Sequence, residues 1–224
     1  MPFDPTTQSR QSTGQFGSRI FQKNKVDIES LSSQPDLQGP NFSNVDLTGA
    51  SFSHADLEEA NFTEAKLAGT DFSHAGLVRA LFYQSDLTNA KFCEADMAGA
   101  NLVRATAIGS DMKLANLRGA CMLQANLWKA DLTGADMTQA DLMRASLADA
   151  VLLDANLSRT SLLTANLINT QFIKTDLTEA DLSGADLRGA DLTEAILDDT
   201  ILTGVNHNCL TFWPDGFDTS RLTE

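Results

Sequence analysis

Two histidines and a glutamate, His54, His74 and Glu94, follow one another at intervals of twenty residues, and all three are types that ligate divalent transition metals. Carboxylates for acid–base chemistry are also plentiful, with 30 Asp and Glu against 16 Lys and Arg and a net charge of -14. Neither set falls into a catalytic motif: there is no G-x-S-x-G, no glycine-rich phosphate loop and no H-E-x-x-H. Cys93, Cys121 and Cys209 are an odd number without a C-x-x-C spacing, which argues against a disulfide framework or a zinc knuckle. A reducing, cytoplasmic setting is therefore expected. The polar stretch from Met1 to Phe16 has no apolar core of the signal-peptide kind, and no apolar run is long enough to span a bilayer.

The elements that would position such residues follow from a period of five. Leu, Phe or Met stands at every fifth position from Leu37 to Leu202, interrupted only at Ala107, and two residues before it stands Ala in 24 of 34 units. The unit reads A-[D/N]-[L/F]-x-x, with ADLTG at 130–134 and ADLSG at 180–184 as clean copies. On an α-helix a step of five turns the large residue by about 140° and smears it around the circumference. On a continuous strand an odd step sends successive large residues to opposite faces. The chain must therefore bend once per unit, with one small and one large residue facing inward, and neighbouring units must form the sides of stacked coils.

Aromatic side chains set the number of sides, because they gain from stacking on their like in the next coil. Phe occupies 42, 62 and 82 and also 52, 72 and 92, alternating with Leu at 47, 67, 87, 57 and 77. The aligning period is ten or twenty, and two sides would enclose no interior. Twenty residues and four sides are expected, with Phe42, Phe62 and Phe82 on one wall and Phe52, Phe72 and Phe92 on the opposite one. Fourteen acids sit at the second position of the unit, where Asp and Asn hydrogen-bond nearby backbone, so their reading is structural.

The tandem A-[D/N]-[L/F]-x-x pattern resembles the pentapeptide-repeat family over Pro35 to Gly204, about three quarters of the chain. The resemblance implies an all-β, right-handed quadrilateral β-helix of about 8.5 coils. At ~4.8 Å per coil the rod is ~40 Å long. Three parts are expected: a segment 1–34, in which Val26–Leu31 caps the first coil, the β-helix over 35–204, and a C-terminal cap over 205–224. In that cap Phe212, Trp213 and Phe217 are expected to cover the last apolar layer. The ending T-x-W-P-x-G-F is similar to that of many cyanobacterial pentapeptide proteins.

A rod filled along its axis offers no cleft, so no enzymatic activity, cofactor or metal is expected. His54, His74 and Glu94 stack in a straight column and do not converge on one tetrahedral ion. Along another column, Asp56, Gly76, Asp96, Asn116, Asp136, Asn156 and Asp176, neutral residues separate the charges and relieve repulsion.

The fourth position of the unit is mostly Thr, Ser or a charge, yet one column reads Tyr83, Val103, Leu123, Met143, Leu163 and the next Ile108, Trp128, Ala148, Ile168. This apolar stripe, ~19 Å long, is expected to bind a protein partner or a second copy. Acidity excludes direct binding of nucleic acid or an anionic membrane. The family resemblance implies an alternative, a DNA-mimicking rod that binds DNA gyrase or topoisomerase. Against it, 24 acids and 11 bases over 35–204 leave a net -13, one charge per ~3 Å of rod where duplex DNA has one per ~1.7 Å.

Overall fold

Residues 39–222 are described by the computed structural model; the segment 1–34 and its Val26–Leu31 cap lie outside them. Within each unit the carbonyl of the large residue accepts the N–H three residues on, as from Ala50 to Leu47 (2.9 Å) and from Ala60 to Leu57 (3.0 Å). The fifth residue takes a positive φ, 61° at Asn44 and 56° at Leu114, the signature of a type II turn. Gly134 fills this place (φ +67°) where a Cβ would also stand 2.7 Å from Cδ2 of Leu114. One such turn per unit supplies the bend that the five-residue period requires.

Four turns close a coil. The second residue of each unit bridges in parallel to the residue twenty ahead, as Asn41 to Asn61, Asp46 to Lys66, Ser51 to Asp71 and Asp56 to Gly76. Phe42 N donates to Asn61 O at 2.7 Å, Asn44 N to Thr63 O at 2.9 Å, and Asn61 N back to Pro40 O at 2.9 Å. The result is a right-handed quadrilateral β-helix of about 8.5 coils. Among the described residues the single helical element is the 3-10 turn Thr219–Arg221. We number the sides in chain order: the first carries Phe42 and Phe62, the second Leu47 and Leu67, the third Phe52 and Phe72, the fourth Leu57 and Leu77.

Every large residue from Phe42 to Leu202 is buried, and from Ala55 so is every small first residue of the unit up to Thr200. The expected Phe walls form. Within a wall the rings stack, Phe62 on Phe82 at 5.1 Å and 4°, Phe52 on Phe72 at 5.2 Å and 6°. Across the axis they meet edge to face, Phe62 with Phe72 at 5.4 Å and 79°. Around Ala107, the one unit without a large residue, the coils carry Met97, Met112, Met122 and Met137. Flexible thioether chains fill irregular gaps, which accounts for their gathering there.

Where Ala gives way to Thr or Ser, the buried hydroxyl finds a carbonyl: Thr70 Oγ1 donates to Leu47 O (2.9 Å), Thr175 Oγ1 to Leu152 O (2.7 Å) and Ser85 Oγ to Phe82 O (2.8 Å). Asp and Asn at the second position accept the N–H two residues on, as Asn61 Oδ1 does from Thr63 N (2.9 Å) and Asp176 Oδ1 from Thr178 N (2.9 Å). In the alternating column the neutral residue also bonds its charged neighbour, Asn116 Nδ2 to Asp96 Oδ1 at 2.8 Å.

These bonds favour the ionised carboxylates. The Thr48 hydroxyl beside Asp46, and the Arg188 guanidinium beside Asp186, hold both carboxyls below the ordinary aspartate range. A lowered pKa in the folded state contributes stability above the unfolded pKa, and that stability is lost as pH falls through the folded value. The thermal midpoint is therefore expected to stay level from pH 8 to about 5 and to fall below about pH 4. A scan of Tm against pH that declined first between pH 5 and 7 would refute this.

The coil continues past Gly204: Asp186 bridges Asn206, and Asp191 bridges Phe212 at a spacing lengthened by one residue. That extra residue restores the phase, so Thr211, Phe212 and Trp213 take the first three places of a unit. Thr211 is buried and its Oγ1 donates to Leu187 O at 2.9 Å. Trp213 turns inward, stacks on Phe217 at 4.7 Å and packs with it against the core. Phe212, at the outward second place, is 58% exposed and covers nothing.

Candidate protein-binding face

The filled axis leaves the outer sides as the place for function. Among the described residues, no group of three or more His, Cys, Asp or Glu side chains is placed to hold a metal ion. His54 and His74 stack ring on ring at 4.6 Å and 5°, and Nδ1 of His74 lies 3.5 Å from Oε2 of Glu94. Leu114, 60% exposed, follows Glu94 in that column.

The bridges Leu81 to Asn101, Asn101 to Cys121, Cys121 to Asp141 and Asp141 to Ser161 bring Tyr83, Val103, Leu123, Met143 and Leu163 to equivalent places on successive coils of the first side. Thr106 to Asn126, Asn126 to Ser146 and Ser146 to Asn166 do the same for Ile108, Trp128, Ala148 and Ile168 on the second. The two columns stand at the two corners that bound the second side. Except for Trp128, these residues are half-buried and not fully outward. At a coil spacing of ~4.8 Å each side chain shields those above and below it.

Between the columns the second side presents Thr106, Asn126, Ser146 and Asn166, none charged, while Asp86 and Asp186 lie beyond either end. Arg104 and Arg144 occupy the corner beside the first column, with Arg104 Nε donating to Gln124 Oε1 at 2.9 Å. The middle of this side is thus a neutral, apolar-edged strip on an acidic rod.

Trp128 is the one member of the two columns with a large exposed fraction, 39%. Its Nε1 donates to Asp149 Oδ2 at 2.9 Å, Asp149 Oδ1 accepts from Asn169 Nδ2 at 3.1 Å, and Lys129 Nζ lies 4.4 Å from the ring centroid. The bond from Trp128, followed by that from Asn169, lowers the Asp149 pKa and keeps it an acceptor. A large aromatic is so fixed in one pose, with its cationic neighbour over the ring.

Sequence reasoning missed part of the apolar surface. Val151, Leu153 and Ile173, all half-buried, extend it onto the third side, and Leu81, 39% exposed, lies beside Tyr83. Their signal was present in the same twenty-residue register, at the fourth position of the third side for Leu153 and Ile173 and at the second position of the unit for Leu81 and Val151. On the fourth side the equivalent places hold Arg118, Thr138, Ser158 and Thr178. No helix among the described residues is long and apolar enough to cross a membrane.

Known proteins share this architecture. HetL, a pentapeptide repeat protein involved in heterocyst differentiation regulation from the cyanobacterium Nostoc sp. strain PCC 7120, is 30% identical over 80% of this chain and 91% of its own, with a TM-score of 0.42. A trypsin-treated variant of QnrB1, a plasmid-mediated fluoroquinolone resistance protein, is 23% identical over 77% of this chain and 84% of its own, with a TM-score of 0.52. Rfr23 from the cyanobacterium Cyanothece 51142 is 31% identical over 46% of this chain and 63% of its own, with a TM-score of 0.26. No match is found among curated protein sequences. The family model for pentapeptide repeats matches in 8 copies, over 41–77, 75–113, 110–149, 140–178 and 171–206. Those matches span the coils whose turns and bridges impose the five-residue phase, and the chain belongs to the pentapeptide-repeat family.

Proposed function

We propose that the protein is a non-enzymatic, rigid scaffold that binds a protein partner through the second side and its two bounding columns. The observation that carries this reading is Trp128: a large aromatic, 39% exposed and pinned by Asp149, at the edge of a side whose own face carries no charge between Thr106 and Asn166. Interface cores are depleted of charge and enriched in Tyr, Trp and Met, all present here. A preformed surface also loses little conformational entropy on binding. The test is capture from the native host by the wild type, Trp128→Glu, and Thr138→Glu on the fourth side as a control. A protein retained by the wild type and Thr138→Glu but lost with Trp128→Glu supports the reading; equal retention by all three overturns it.

The DNA-mimic alternative keeps the fold-level likeness to QnrB1 and the net acidity in its favour. Its field is weakened by pairing: Lys66, Arg79, Lys113, Arg118, Arg159, Lys174 and Arg188 each lie within 4.0 Å of an acid. DNA gyrase supercoiling is expected to be unaffected by stoichiometric protein. Potent, salt-sensitive inhibition would reverse the ranking.

A further inference from the structure

The coils in which the second side is apolar at both corners are also those in which its face is uncharged. Val103, Leu123, Met143 and Leu163 stand at one corner, Ile108, Trp128, Ala148 and Ile168 at the other, and Thr106, Asn126, Ser146 and Asn166 between them. Before and after this stretch the face carries Asp86 and Asp186. Oδ1 of Asn126 accepts from Trp128 N at 3.1 Å and Oδ1 of Asn166 from Ile168 N at 3.2 Å, which folds both side chains onto their own turns. Their Nδ2 groups, and the hydroxyls of Thr106 and Ser146, have no partner among the described residues.

The same two corners carry a cation and an anion that are not paired within the chain. Arg144 is exposed beside Met143, and its guanidinium has no partner among the described residues. Asp149 stands half-buried at the opposite corner of that coil, where bonds from Trp128 and Asn169 hold it ionised. A carboxylate has lone pairs for further donors beyond these two.

We propose that the second side is a self-association face, on which two copies lie side by side and parallel about a twofold axis that runs along the rods. This rests on the reading of that side as a binding face and names its occupant, a second copy of this chain. Two copies share one coil spacing, so their contacts repeat in phase along the strip; an α-helix laid there, at ~5.4 Å per turn against ~4.8 Å per coil, drifts out of phase. Such a twofold sets each face residue against itself and each corner against the other corner of the second copy, at nearly the same height. A charge on the face would repel its own copy, and Thr106, Asn126, Ser146 and Asn166 are neutral. At the corners Val103 meets Ile108, Leu123 meets Trp128, Leu163 meets Ile168, and long Met143 meets Ala148, the one small member. Arg144 of each copy meets Asp149 of the other. An antiparallel twofold would instead bring Asp149 to Lys129, which already lies over the Trp128 ring, and would leave Arg144 opposite Gln124. The strip is small for a permanent dimer and places the contact among weak, transient associations.

Cross-linking of the full chain, in a background with Cys93, Cys121 and Cys209 replaced by Ser, captures such a contact. Packed sheets lie about 10 Å apart, a gap that suits a short bismaleimide between introduced thiols. Thr106→Cys and Asn166→Cys, at the two ends of the uncharged stretch, are each expected to give a covalent dimer, and Asn156→Cys on the fourth side none. Arg144→Asp and Asp149→Arg, each combined with Thr106→Cys, are expected to lower the yield about tenfold, because both symmetric contacts turn repulsive. Mixed in equal amounts, these two variants are expected to recover it, since every contact between unlike copies then joins opposite charges. Yields at Thr106→Cys and Asn166→Cys no higher than at Asn156→Cys overturn the proposal, as does a mixture that cross-links no better than its components. Cross-linking only between Thr106→Cys and Asn166→Cys in a mixture overturns it in favour of the antiparallel pairing, which holds each of these positions ~14 Å from its own copy. If cross-linking fails while capture from the host is still lost with Trp128→Glu, the face belongs to a different protein; if capture is also unaffected, the second side is no binding face at all.

Discussion

Phe72→Ala is expected to destabilise the rod by about 3–5 kcal/mol, the upper range for removing a buried aromatic from a core that cannot collapse around the gap. Phe72 is fully buried at the middle of its wall, stacked on Phe52 at 5.2 Å and on Phe92 at 5.1 Å. It also meets Phe62 at 5.4 Å and Phe82 at 5.8 Å edge to face. The closed coil holds those neighbours by backbone bonds on either side of the gap, so they cannot move inward to fill it. Phe172 gives the comparison, because it is equally buried on the same side but stands among leucines at 152 and 192. Phe172→Ala should cost less by roughly the aromatic pair terms, ~0.5–1.5 kcal/mol for each pair lost. Denaturant titrations should be followed by more than one probe, since solenoids can lose coils in succession and depart from two-state behaviour. Equal losses for the two variants would mean that the ladder adds nothing beyond buried area.

The coil and its four sides were legible because inward positions are constrained most severely. A closed coil has room for one small and one large residue per side, and the Phe alternation carries the twenty-residue register into the one-dimensional sequence. The degree of exposure at the fourth position was not legible, since it depends on shielding between coils. The bond from Trp128 to Asp149 was equally hidden: it joins residues 21 apart and depends on side-chain rotamers that periodicity does not specify. At the C-terminal end, Leu210 shifts the phase by one, and only then do Phe212 and Trp213 fall in outward and inward places. Read as T-F-W in the slot of A-[D/N]-L, the residues alone separate outward Phe212 from inward Trp213, which the expectation had placed together over the last apolar layer.

Trp128→Glu is expected to abolish partner capture while changing stability by no more than about 0.5 kcal/mol, the usual scale for surface substitutions. The two halves of this expectation rest on separate observations. The side chain is 39% exposed and makes its one side-chain hydrogen bond to a surface carboxylate. Its removal therefore leaves the inward column of Ala107, Leu127 and Leu147, all fully buried, unaltered. Binding is another matter, because Glu would place a second carboxylate beside Asp149 at the edge of the uncharged second side, and desolvating both against an apolar partner is costly. Aromatic anchors of this kind carry binding energies of about 2 kcal/mol or more when truncated, roughly a thirtyfold loss in affinity. Trp128→Phe separates the ring from its polar handle: it keeps the apolar body and loses the bond to Asp149. If pre-organisation by Asp149 matters, Trp128→Phe and Asp149→Ala should weaken binding to a similar, intermediate extent. If Trp128→Glu unfolds the rod, the ring belongs to the core and the register of the second side is wrong. If it leaves both capture and stability unchanged, the columns are ordinary surface and the scaffold must bind through another side.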